Sequence, residues 1–199
     1  MIGEVQIRRA RHEDAHAIAA LIGEFASEAL MLRRTPEMVE LAIDDYVVGV
    51  TPHGKVVACG ALKEYSPSLA EVAAIAVARS AHGNGVGKAI VNAVEDLALK
   101  RGIYDVFALT LQPEFFAAIG YHRVDRARYP EKIRRDCLSC ARRFACNEFC
   151  YAKNLMLVGT DEAVAEASGV VAPDLPTVSI GRPPRRRPAW QRAPDSSAA

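Results

Sequence analysis

The 199-residue sequence lacks any apolar run of the roughly 18 residues needed to cross a membrane. Its opening, MIGEVQIRRA, lacks the apolar core of a secretory leader. These absences predict a cytoplasmic protein with no membrane partner, its cysteines held in a reducing compartment. It also lacks a strong charge of either sign. The net charge is +1, and it is uneven: residues 181–199 hold five arginines against one acid, Asp195, leaving −3 over the rest. A nucleic-acid-binding body needs a basic surface, so nucleic acid is expected only through that tail. No internal repeat is present. Homodimerisation is left open.

Half of the residues are hydrophobic, enough for one sizeable core. We assign a single domain to residues 1–160, with a cysteine-rich loop at 137–150. Beyond it, residues 161–199 are dominated by proline, small residues and arginine. That composition cannot bury enough surface to offset its ordering entropy, so a disordered tail is expected, with Trp190 exposed.

The body alternates strand and helix. EVQIRRA alternates apolar and polar residues as a half-buried strand does. Ala15, Ile18, Ile22, Phe25 and Ala29 then recur at helical spacing, with Asp14 placed as a cap. Thr35 followed by Pro36 marks a second helix start. Two β-rich runs flank His53–Gly54, a hairpin, and SPS at 66–68 turns the chain into the strand AEVAAIAVA. Ile90, Val94, Leu97 and Ala98 define one face of the next helix. YDVFALTL, PEFFAAIG, YHRV and YAKNLMLV complete the order β-α-α-β-β-β-α-β-α-β, a cysteine-rich excursion, then β. Hairpins and crossovers together predict a mixed α/β sheet.

One stretch calls for chemistry. SAHGNGVGKA places Gly83, Gly85 and Gly87 at the mouth of a helix. Bare backbone there permits a tight turn or the close approach of an anion to unpaired N–H groups. The spacing fits neither a Walker loop nor a dinucleotide-binding fingerprint.

In its setting, AVARSAHGNGVGKAIVNAVEDLA resembles the acetyl-CoA motif of the GNAT acetyltransferases, a valine-ended strand followed by [QR]-x-x-G-x-[GA] opening a helix. His82 stands where Gln or Arg is usual, followed by Gly83, Asn84, Gly85, Val86 and Gly87. The resemblance covers about residues 4–125 and the closing strand. It implies a mostly antiparallel central sheet flanked by helices, with a cysteine-rich insertion before the last strand. It further implies that amides from Gly83 to Lys88 hold the coenzyme A pyrophosphate. Backbone groups of Ile75 and Val77 would hold pantetheine as an added strand.

Acyl transfer needs a neutral amine, and an amine at neutral pH is mostly protonated. Glu71, six residues before Val77, matches the spacing of the catalytic glutamate in histone-type relatives and is the candidate base. Its alternative is an ordinary carboxylate paired with Lys63 on the next strand. Phe116 occupies a slot where many relatives carry a proton-donating Tyr, and Tyr121 is the nearby alternative.

GKVVACGALKEYSPSLAEVAAIAV and VFALTLQPEFFAAIGY resemble the short bacterial N-acetylglutamate synthases. This implies acetyl transfer to the α-amine of a small amino acid, L-glutamate foremost, at the entry to arginine synthesis. Arg34, with Arg33 as a spare, would fork onto the substrate carboxylate. Ala73 departs from the subfamily, which commonly carries Arg there; Lys63 is the candidate replacement. The rival acceptors are a protein N-terminus, a lysine or a polyamine. A further rival is a non-catalytic acetyl-CoA-binding module.

Cys137, Cys140, Cys146 and Cys150 fall as C-x2-C-x5-C-x3-C. Four clustered thiols predict a structural metal, zinc before an iron–sulfur cluster, with His122 as a substitute ligand. Unliganded cysteines in a basic loop are the alternative. Cys59 reads as a small buried hydrophobe.

Overall fold

The computed structural model describes residues 4–156 and the two-residue strand Thr177–Val178. The chain runs β1 (Val5–Arg9), α1 (Ala15–Ser27), α2 (Pro36–Glu40), β2 (Tyr46–Val50), β3 (Val56–Ser66), β4 (Leu69–Val77), α3 (Val86–Lys100), β5 (Asp105–Thr110), α4 (Pro113–Ala118), β6 (His122–Arg123), α5 (Pro130–Lys132), β7 (Phe149–Asn154) and β8 (Thr177–Val178). Through β7 this is the order read from the sequence, apart from α5, which falls inside the excursion. The expected tail lies outside the described residues except for β8, which pairs antiparallel with β1.

The strands form one sheet in the order β6-β7-β5-β4-β3-β2-β1-β8. Every pairing is antiparallel except β4 with β5. Helices cover both faces. On one, α3 sets Ile90, Val91, Val94 and Leu97 against Val47, Val57 and Leu62. On the other, Ile18, Leu21 and Ile22 of α1 and Val39 of α2 pack on Val48, Cys59 and Ala76. Burying each of these valine, leucine and isoleucine side chains contributes about 1.5–3 kcal/mol.

Local chemistry fixes the elements much as expected. The Thr35 hydroxyl accepts the Met38 N–H at 3.3 Å, capping α2 ahead of Pro36. Asp14 differs: it caps no amide of α1. Its carboxylate takes the Arg11 N–H at 2.8 Å and both nitrogens of the Arg8 guanidinium at 2.7 and 2.9 Å. The two-pronged, charge-assisted contact with Arg8 turns the carboxylate back toward β1 and the Arg11 amide, away from the amides of α1. Ala29 lies past the end of α1 in a left-handed conformation, φ 58°.

Two irregularities in β4 open the molecule. Opposite β3, Cys59 faces Ala76 while Ala61 faces Ala73, so β4 carries one extra residue. Ala74 in that bulge has φ +53°, which costs an alanine about 1–2 kcal/mol. Gly60 lies across from it. A Cβ there would stand 2.6 Å from Ile90 Cγ2 and 2.7 Å from Ile75 Cδ1, so only glycine lets α3 sit this close. On its other side β4 pairs with β5 only over Leu69–Glu71. From Val72 onward the two strands part, as a bulge that re-aims a strand allows.

Candidate active site

The splayed strands enclose a cleft of about 870 Å³. Its floor is Glu71–Val77 of β4, and Leu109–Gln112 form the facing wall. One end is the 82–88 loop with Phe115 and Phe116 of α4; the other holds Met31, Leu32, Arg34, Lys132 and Glu148.

At the loop end the geometry suits an anion. Gly83 and Gly85 both have φ +76°, and a Cβ on either would meet nothing within 4 Å. Among the described residues, no backbone N–H from Gly83 to Lys88 donates to a protein acceptor. Six amides, the first turn of α3 included, are therefore available to a ligand beside a positive dipole end. His82 does not point at this space. Its Nε2 lies 2.7 Å from the Val77 carbonyl, tying the loop to the end of β4. Asn84 donates from Nδ2 to the His82 carbonyl at 3.2 Å.

The cleft centre is built around Glu71, which is 5% exposed. Its Oε2 accepts from Lys132 Nζ at 2.8 Å and lies 2.9 Å from the Tyr65 hydroxyl oxygen. Lys63 stands opposite Glu71 in the β3–β4 register. Its ammonium nevertheless turns to Asp136, 2.7 Å from both carboxylate oxygens. Asp136 also receives Lys132 at 3.0 Å and the Tyr65 hydroxyl. Burial works against the Asp136 anion, yet these three donors hold its pKa well below the usual carboxylate range. Burial likewise disfavours the Lys132 cation; the charge of Glu71 and bonds to both carboxylates overcome it and raise the Lys132 pKa. Burial, the Glu71 charge and the Asp136 bond all raise Tyr65, so it is a neutral phenol.

Of the sequence candidates, the cleft lining brings together Glu71, Ile75, Val77, His82, Gly83, Gly85, Val86, Gly87, Lys88 and Arg34. Asn84, Arg33 and Lys63 lie off it. Phe116 is buried, with Tyr121 edge-on at 5.1 Å, but Tyr121 does not reach the lining. Sequence reading missed Lys132, Asp136 and Tyr65. The signal for the first two was PEKIRRDC: Pro130 opens a short helix, and Lys132 and Asp136 then share a face at i, i+4.

The metal expectation is corrected. Among the described residues, no three His, Cys, Asp or Glu side chains gather so as to hold a metal ion. All five cysteines are free thiols. Arg126 donates to Cys146 Sγ at 3.3 Å, placing a cation where a dication would have to bind. Cys140 Sγ takes the Arg142 N–H at 3.4 Å. Cys150 is buried beside Phe107 and Tyr129, and burial pushes its thiol up to about 11. His122 is exposed on β6.

A mixed sheet with a splayed, bulged β4 leading into a bare amide cradle defines an acyltransferase-type cleft. Residues 10–125 match the acetyltransferase (GNAT) family. The chain belongs to that family and is an N-acetyltransferase. An uncharacterised N-acetyltransferase of Chlorobaculum tepidum is 36% identical over 75% of this chain and 96% of its own length. The amino-acid acetyltransferase of Mycobacterium tuberculosis is 35% identical over 60% of this chain and 69% of its own. N-acetylglutamate synthase of Neisseria gonorrhoeae, solved with coenzyme A and N-acetyl-glutamate, superposes with a TM-score of 0.68 at 29% identity. That match covers 76% of this chain but 35% of the longer synthase. Among the described residues no helix is long and apolar enough to cross a membrane.

Proposed function

We propose that the protein transfers acetyl from acetyl-CoA to the α-amine of a small amino acid, L-glutamate foremost, in the cytoplasm and at the entry to arginine synthesis. The catalytic unit is the domain over residues 1–160. The observation that carries this reading is the placement of Glu71 in a cleft that ends in six unbonded amides. The amides of Gly83–Lys88 suit a diphosphate, and the open edge of β4 suits an extended pantetheine. Acetyl-CoA supplies the acetyl group as an activated thioester. Glu71 takes a proton from the acceptor amine. Phe116 has no proton to give, so either water protonates the departing thiolate, or the thiolate leaves unprotonated, or another group such as Tyr121 assists. Arg34 has no hydrogen-bond or ion-pair partner among the described residues, so its guanidinium is available to an acceptor carboxylate.

A second reading keeps the chemistry and changes the acceptor. Ala73 lines the cleft where the subfamily commonly carries a cation, which favours an amine other than glutamate. Thiol release from acetyl-CoA across a panel of amino acids, a lysine peptide and a polyamine separates the two. Glutamate-dependent release supports the first. Release only with other amines supports the second, and coenzyme binding without release removes both.

A further inference from the structure

Glu71, read above as the base, has to lose the proton it gains before another turnover. Its side chain is only 7% exposed. Two polar groups touch its Oε2, and they differ in kind. The Lys132 ammonium has donors and no lone pair, so it cannot accept a proton. The Tyr65 hydroxyl can both donate and accept. It touches a second carboxylate, Asp136, whose side chain is 25% exposed. A phenol carries one proton and cannot donate to both carboxylates at once. With both carboxylates ionised the chain Glu71–Tyr65–Asp136 is therefore one proton short, and both contacts become hydrogen bonds when a carboxylate is protonated, as Glu71 is once it has taken a proton. The ring that carries the hydroxyl is held firmly. It packs on Phe107 at 5.6 Å between centroids and lies under Arg135 at 4.9 Å, with Lys63 and Lys132 at 5.5 and 5.8 Å from its centre.

We propose that Tyr65 is the proton outlet of Glu71, handing the proton on to Asp136 and so to solvent. The inference rests on Glu71 being the base. In the step, Glu71 gives its proton to Tyr65 Oη while the phenol proton moves to Asp136. Asp136 then releases a proton to water, and Tyr65 rotates back. One proton enters and one leaves, and no other bond changes. Lys63 and Lys132 bond to the Asp136 anion, so it does not retain the proton. Tyr65 acts through Glu71 and needs no contact with either substrate.

The test is Tyr65→Phe in the full chain, which keeps the ring and removes the relay. Turnover is measured at fixed pH and ionic strength against rising imidazole, a small buffer able to carry the proton instead. The expected result is a kcat at least about tenfold lower, an unchanged acetyl-CoA KM, and recovery of kcat with imidazole that the unmodified protein does not show. Asp136→Asn is expected to behave alike and serves if Tyr65→Phe fails to fold. Unchanged turnover, or slow turnover that ignores imidazole, overturns the outlet. Glu71→Gln in parallel separates the two claims. If it is inactive while Tyr65→Phe is normal, only the outlet falls. If it is fully active, the base reading falls first.

Discussion

His82 Nε2 sits 2.7 Å from the Val77 carbonyl, so the loop that offers six free amides is tied to the last residue of the cleft floor. That bond fixes the cradle relative to the strand edge on which a thioester would lie.

Removing the tie loosens the cradle without touching Glu71. We predict that His82→Ala raises the acetyl-CoA KM about fivefold, the worth of one hydrogen bond of ~1 kcal/mol, with kcat nearly unchanged. Steady-state kinetics check this; an equal fall in kcat would place His82 in the chemistry instead.

A side chain at Gly85 meets no protein atom, so it would occupy the space left for phosphate. Its φ of +76° adds strain for any L-residue. Gly85→Val is expected to lower coenzyme A affinity by at least about tenfold, read by calorimetry. Unaltered affinity would mean that the pyrophosphate binds elsewhere.

Gly60→Ala addresses the bulge from the opposite side. Its Cβ would crowd Ile90 and Ile75 at under 3 Å. We expect a loss of about 1–3 kcal/mol in urea unfolding. A smaller loss would show that α3 moves freely off the sheet.

The ion cluster gives a pH signature. The Asp136 pKa is lowered on folding, so its contribution is complete above the unfolded value of about 3.9 and disappears as pH falls through the folded one. The Lys132 pKa is raised, so its contribution is complete below about 10.4 and is lost as pH climbs past the folded value. Asp136→Asn should therefore be less stable than the parent at pH 7, and the gap should narrow steadily as pH falls from about 4 toward 2. Unfolding midpoints across that range decide; a constant gap would mean packing rather than charge.

The order of elements was legible because each rests on a local signal: the 3.6-residue period of Ile90, Val94 and Leu97, the Thr35–Pro36 start, the turn at Ser66–Ser68. The glycine turn at the start of α3 was legible for the same reason, since Gly83, Gly85 and Gly87 fall within five residues. What escaped depends on distant partners. Ala74 gives no sign that it will adopt a positive φ, because the bulge is set by pairing with Cys59 and Ala61. Lys63 reads as the partner of Glu71 because register makes them neighbours. Asp136, 73 residues away, captures the Lys63 ammonium, and Lys132 fills the place beside Glu71. The cysteine spacing read as a metal site, yet spacing fixes order and not convergence, and Arg126 claims the thiol of Cys146.

The central claim is that the amides of residues 83–88 grip the diphosphate and set the thioester beside Glu71. Amide chemical shifts recorded as coenzyme A is titrated in test it most directly. The account predicts large shifts confined to Gly83–Lys88 and the β4 edge Val72–Val77. Saturable binding that leaves the 83–88 amides unmoved would contradict it.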